Sequence, residues 1–290
     1  MARFSTIDFS ELPAPDVVTA LDTEAIIVAR KADIVARLAD IDPELAAEIE
    51  AILALESEPM TKLQEAGAYR ETIHYARVND AARAVLLATA TAADLDNLGA
   101  YYGVARAEGE TDTRFRQRIA LAPEALTTAG SAGGYVFQTM GVSLTIKSVG
   151  LETPAPGVVN VSFLVDDVAN GVPSVDLINA VRTHLMADDI KPLTDELYVA
   201  QPAIEEFTVD LQLVLAGGPD PATVLAASEA AVRTYLAKRH AIGHTVYLSG
   251  IDAAAHVAGV ESVIRLAPVA DIVPAVTGAA FATDLVVVAA

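Results

Sequence analysis

The sequence has 290 residues, with 19 Lys plus Arg against 39 Asp plus Glu, a formal net charge of −20 that leaves no general surface for DNA or acidic lipid. Cysteine is absent, which excludes disulfides, thiolate metal sites and cysteine nucleophiles. Hydrophobic residues make up 53% but aromatics only 5%, with no Trp, so the apolar content is small and aliphatic, as close helix contacts require.

Such a length suits two domains or three small modules. Residues 1–16 contain no basic segment followed by an apolar core, so no secretory signal is expected and synthesis in a cytoplasm is. Residues 125–146 carry no charge, but Gly130, Gly133, Gly134 and Gly141 interrupt them, so no membrane span is expected. Charge is unevenly spread: residues 1–60 hold 4 basic and 13 acidic side chains, 61–120 hold 8 of each, and 121–290 hold 7 and 18.

In chain order, Ala, Leu, Glu and Arg dominate from Thr23 to Gly103, which predicts helices. Asp22 or Thr23 caps the first, running to about Leu38, and Asp42-Pro43-Glu44 opens a second with Pro at its first position. From about Met60 to Thr89 one long helix is expected. Leu63, Ala66, Ile73, Ala76, Asp80, Ala84 and Leu87 lie near one stripe, with Asp80 its polar exception. Isolated surface helices of that length are rare without partners, so Ile73, Ala76, Arg77, Asp80, Ala84 and Leu87 are candidate interface residues. A helix from Ala92 to Tyr102 should end at Gly103, and another from Asp112 to Leu121 should end before Pro123. On that last helix Arg114 and Arg118 share one face and Phe115 and Ile119 an adjacent one. Such a cationic stripe suits an acidic partner, or equally Glu108, Glu110, Asp112 or the acidic N-terminal segment of the same chain. Residues 130–134 read as a flexible connector.

Beyond the connector the period changes to the alternation of half-buried strands, at Ser143–Lys147 and at Val159–Phe163, the latter within a strand over 158–165. A helix with Ala180-Val181-Arg182-Thr183-His184-Leu185 and a strand near Glu196–Ala200 follow. The pattern returns as strand Phe207–Leu215, a helix with Ala231-Val232-Arg233-Thr234-Tyr235-Leu236 after Pro219 and Pro221, and a strand near Thr245–Leu248. Two similar β-α-β units are expected, with Val181, Leu185, Val232 and Leu236 facing their sheets and Arg182 and Arg233 on the outer side. A short helix Ser249–Val257, a strand Val260–Leu266 and a closing apolar strand, Asp284–Val288, complete the chain. The fold class is therefore α+β: a helical region over 1–125, then small α/β units over 126–202 and 203–290 with short mixed sheets and a C-terminal strand.

Catalytic signals are scarce. No Gly-Lys dipeptide, G-x-S-x-G elbow or H-E-x-x-H helix occurs. His240 and His244 have metal-like spacing but sit at a helix end, where histidines commonly meet the last carbonyls. Asp166-Asp167 and Asp188-Asp189 are adjacent pairs that point to opposite faces of an extended chain, so they read as solvated turn residues. Neither a metal nor a cofactor is expected.

The runs Ala76–Ala88, Ala93–Arg106, Asp112–Arg118 and Leu121–Glu124 resemble the baseplate J-like family of contractile phage tails and related tail-like particles. So do Phe9–Pro15, Pro192-Leu193-Thr194-Asp195, Gly259-Val260 and Ala270-Asp271-Ile272-Val273, and within the first run the Arg77-Val78-Asn79-Asp80-Ala81-Ala82 block is fairly specific. The resemblance implies a non-enzymatic wedge protein of the virion tail baseplate, assembled in the host bacterial cytoplasm. It implies pairing with itself within a wedge and ring closure between wedges, with a smaller wedge protein, a gp25-like sheath-initiating protein and the hub or spike as partners, and neither nucleic acid nor membrane. Two rival readings remain open on the residues alone: a baseplate-associated hydrolase working through an acid pair, and an acidic cytoplasmic protein-binding module. The absence of Trp platforms counts against a glycan hydrolase.

Overall fold

The structure, a computed structural model, describes residues 12, 21–126, 130–217 and 220–290. Most of the Phe9–Pro15 motif and Pro219 lie outside the described residues. Two compact units make up the chain, one ending at Tyr101 and the other running from Tyr102 to Ala290.

The first unit is helical: α1 (Thr23–Ala39), α2 (Pro43–Leu53), α3 (Pro59–Ala84) and α4 (Ala92–Tyr101). Asp22 caps α1 by accepting from the Ala25 amide at 3.0 Å, and Asp42 caps α2 by accepting from Glu44 and Leu45, with Pro43 at the first helical position. Helix α3 stops at Ala84, five residues short of the expected end. The Thr89 hydroxyl turns back to donate to the Arg83 carbonyl at 2.8 Å, taking an acceptor that a longer helix would have used. The first three helices pack on one another. Arg30 of α1 meets Glu71 of α3 at 3.2 Å, and Gly67 leaves room for that guanidinium, since a Cβ there would fall 2.5 Å from Arg30 Nη2.

The second unit opens with α5 (Asp112–Ala125) and α6 (Ala132–Val142). Helix α5 runs through Pro123, contrary to expectation. In the last turn the ring removes one backbone bond, and the helix ends two residues later. The glycine-rich stretch is not a loose connector either. Ser131 accepts from the Gly134 amide at 3.0 Å to cap α6 and donates to the Glu124 carbonyl at 3.3 Å. Gly133 is buried, and a Cβ on Gly134 would lie 3.2 Å from the Glu124 carbonyl oxygen, so these glycines serve the close approach of α6 to α5.

Strands β1 (Ile146–Glu152), β2 (Val158–Val165) and β3 (Glu196–Ala200), with α7 (Val175–Leu185) before β3, form a sheet of order β1-β2-β3. The β1–β2 pair is antiparallel and the β2–β3 pair parallel. Val161, Phe163 and Val165 point one way, into a core with Tyr135 of α6 and Ile178, Val181 and Leu185 of α7. A second sheet follows: β4 (Ile204–Leu215), α8 (Pro221–Arg239), α9 (Leu248–Ala255), β5 (Val260–Ala267) and β6 (Ala279–Ala289), in the order β5-β4-β6. Val209, Leu211 and Leu213 of β4 pack against Val224 and Val232 of α8 and Ile251 and Ala255 of α9.

Each sheet thus has a central strand with one antiparallel and one parallel neighbour, and Val181 and Val232 are both fully buried against their sheets. The expected duplication fails at the connections. Helix α7 leads to the parallel neighbour of β2, whereas α8 leads through α9 to the antiparallel neighbour of β4. The strand expected near Thr245–Leu248 is instead one isolated bridge, Val246 to Ile272, before α9 begins. Arg233 is exposed as expected, but Arg182 is half-buried and donates to the Val199 carbonyl at 2.9 Å.

Candidate protein-interaction site

Within the helical unit, burial is sparse. Helix α1 has no buried residue, and the 26 residues of α3 bury only Thr61, Ala68 and Asn79, all small or polar. Thr61 ties α3 to α2 through the Leu53 carbonyl at 3.4 Å. The residues singled out from the sequence are spread around this helix: Ile73, Ala76 and Ala84 are half-buried, Arg77 and Asp80 are exposed, and Leu87 is half-buried beyond the helix end. Of the larger exposed groups, sequence reasoning placed Leu63 on the stripe and missed the others. Leu63, Tyr69, Tyr75, Val78 and Val85 all face solvent, with Tyr75, Val78 and Val85 at i, i+3 and i+10 spacing along one side. Among the described residues, this row of aliphatic and tyrosine side chains on a thinly buried helix stays uncovered.

Arg114 and Arg118 occupy a different environment. Both side chains are only 13% exposed and turn onto Glu110, whose carboxylate is fully enclosed. Arg118 Nη1 donates to Glu110 Oε2 at 2.6 Å, and the Ala107 amide donates to the same oxygen at 3.0 Å. Arg114 Nη2 donates to the carbonyls of Met140 and Ser143 at 2.6 and 2.7 Å, and its Nη1 to that of Ile146. One guanidinium thereby holds the C-terminal end of α6, where the helix dipole favours a cation, to the start of β1. Burial pushes the Arg114 pKa below its ordinary value and Arg118 adds to this, while Glu110 and Asp166 oppose it. Arg106 completes the group, donating to the Glu110 carbonyl at 3.0 Å, pairing with Asp112 at 2.8 Å and lying 4.6 Å over the Phe115 ring. Phe115 and Ile119, the apolar stripe beside these arginines, are buried.

Elsewhere in this unit the Tyr135 hydroxyl donates to Asp195 Oδ2 at 2.8 Å, and burial pushes its pKa upward, so it stays a donor at neutral pH. This joins α6 to the turn before β3. The two aspartate pairs are exposed, Asp166-Asp167 after β2 and Asp188-Asp189 after α7. Among the described residues no group of three His, Asp or Glu side chains is placed to hold a metal, and no helix is long and apolar enough to cross a membrane.

A second apolar surface lies on the far side of the β5-β4-β6 sheet. Ile264 and Leu266 of β5 and Val286 and Val288 of β6 are exposed there, and Ile264, Gln212 and Val288 stand in one cross-strand row. The corresponding face of the β1-β2-β3 sheet is covered, since Ser162 and Leu164 of β2 are buried.

Three family profiles match consecutive parts of the chain: the Baseplate J-like N-terminal domain over residues 56–110, the Baseplate J-like central domain over 127–201, and the Baseplate J-like protein C-terminal domain over 207–287. A curated relative, baseplate protein J of Escherichia phage P2, is 39% identical across 97% of this chain and 97% of its own length.

Proposed function

This chain belongs to the baseplate J-like family, and from that premise we propose that it is a structural wedge component of a contractile tail baseplate. It takes its place in the virion tail after assembly in the host cytoplasm. Residues 1–125 supply the bundle region, in which α3 pairs with a second copy inside each wedge. Residues 126–202 and 203–290 are the linking modules, and the open face of the β5-β4-β6 sheet supplies contact between wedges, which closes the ring around the hub. A smaller wedge protein and a gp25-like sheath-initiating protein complete the wedge, and a change in ring packing relays the trigger for contraction.

The observation that carries this reading is the helical unit itself, with α1 burying nothing and α3 showing solvent its largest apolar side chains. Such helices gain their stability from partners rather than from their own propensity. Arg114 and Arg118 enter as positioning residues, because their charges already meet Glu110 and the carbonyls of α6. The test is Ala84→Arg, which adds a charge to the α3 surface at a half-buried position. Co-expressed with the other wedge components, this variant should fail to enter wedges while the purified chain keeps its circular dichroism spectrum. Normal incorporation would remove α3 from the interface.

A further inference from the structure

Inside the unit that begins at Tyr102, the two sheets meet through a small, specific junction. Ser162 Oγ of β2 donates to the Thr277 carbonyl at 2.8 Å, and the Ile242 amide donates to Ser148 Oγ of β1 at 3.1 Å. Leu164, Ile242 and Ala279 are buried together, with Ile204 packed against them. Gly150 makes room for Ile242: a Cβ at that glycine would sit 2.0 Å from Ile242 Cγ2.

His240 lies beside this contact, at the C-terminal cap of α8. Its ring stands 5.3 Å from that of Phe281 on β6, and it lies against Gly171 in the turn after β2, where a Cβ would be 3.3 Å from both Cε1 and Nε2. A histidine from the second sheet's helix is thus seated on the first sheet's turn. Its Nε2 is enclosed and has no hydrogen-bond partner. A neutral imidazole leaves only a weakly polar nitrogen unmet there, whereas an imidazolium would put a full charge into the enclosed site.

The charged surroundings favour the neutral ring. Lys147 of β1 repels a proton on it. Asp166, at the end of β2, acts on Lys147. Arg239, its neighbour on α8, is directed to the Thr245 carbonyl. The turn after β2 offers the Asn170 backbone, whose hydrogen bond favours the proton, and β6 presents the apolar Phe281.

We propose that His240 is a proton-sensitive latch: neutral, it keeps the junction between the two sheets closed, and protonated, it loosens it. The inference does not depend on the assembly reading. Burial pushes the His240 pKa below the ordinary histidine value, with Lys147 acting in the same direction. The opened state therefore binds more protons than the closed one, and the junction gains stability as pH rises. Its full strength is present above the ordinary value of about 6.5 and declines as pH falls from there towards the depressed value. His244, lowered by burial and by Arg239, shifts in the same direction and must be controlled.

Two measurements on the full chain test the latch. The first is an NMR titration of the histidine rings, with His240 assigned by its loss in His240→Phe, or in His240→Gln if the first variant does not fold. A His240 midpoint below 6.5 is expected, and one at or above it overturns the proposal. The second is hydrogen exchange at the Ile242 amide, corrected for intrinsic rate, between pH 7.5 and pH 5. Protection should fall about tenfold for each unit by which the midpoint is depressed. It should fall equally in His244→Gln and stay constant in the His240 variant. Protection that ignores pH in wild type, or sensitivity that disappears with His244, overturns the latch.

Discussion

Helix α7 and helix α3 use similar aliphatic residues to opposite ends. The 11 residues of α7 bury Ile178, Val181 and Leu185 against β2 and β3, whereas the 26 residues of α3 bury one threonine, one alanine and one asparagine. The difference is what each helix has to lie on. A sheet offers a broad apolar plane, so a short helix with its aliphatic residues on one side is fixed by it. In the helical unit α1 and α2 cover only a narrow strip of α3, and Val78 and Val85 remain more than half exposed. The α/β unit buries its helices on its sheets and leaves one sheet face open, while among the described residues the helical unit leaves apolar side chains exposed along its longest helix.

The contrast predicts where substitutions act. Phe163 is fully buried at the centre of the first sheet's core. Phe163→Ala should cost about 4 kcal/mol through lost transfer energy and the cavity left behind, read as a lower midpoint in denaturant unfolding of the isolated chain. A loss below about 1 kcal/mol would mean that this sheet is no better packed than α3. Glu110→Ala comes next, at about 3 kcal/mol, because it leaves two guanidinium groups that are only 13% exposed without the carboxylate they share, and Arg118 loses its hydrogen bond to it. If that variant unfolded as wild type does, the arginines would have found other partners, and the arginine cluster would not be part of what makes the α/β unit self-sufficient.

These features were unequally legible in the sequence. Asp22 and Asp42 were readable as caps because capping is local, and β2 was readable because the alternation from Val159 to Phe163 needs no knowledge of its neighbours, although Ser162 and Leu164 prove to be buried as well. Helix α6 was hidden by its glycines, which usually mark turns but here allow contact with Glu124. The basic helix offered Glu108, Glu110 and Asp112 as equal partners. Only the loop conformation that brings the Ala107 amide onto Glu110 selects one of them. The apparent β-α-β repeat was legible in its helices and misleading in its connections, since Val181 and Val232 record what each helix packs on and not which strand follows. His240 looked like a helix-end histidine, and its enclosure depends on Gly171 and Phe281, far away in the sequence.

The smallest expected effect on stability is the sharpest test of the contrast. Val78 and Val85 are 61% and 68% exposed, so replacing both by Ser removes little surface that folding had withdrawn from water. The double variant should unfold within about 0.5 kcal/mol of wild type, the range of surface substitutions away from special features. In an assembly the same two side chains become buried, and each valine then contributes up to about 2 kcal/mol that serine cannot replace. Wedge formation should therefore weaken by more than tenfold in a titration of co-expressed components, although the isolated chain is indistinguishable from wild type. The opposite result, a less stable monomer with unchanged assembly, would mean that α3 closes on its own unit and that the exposed apolar row is not where partners bind.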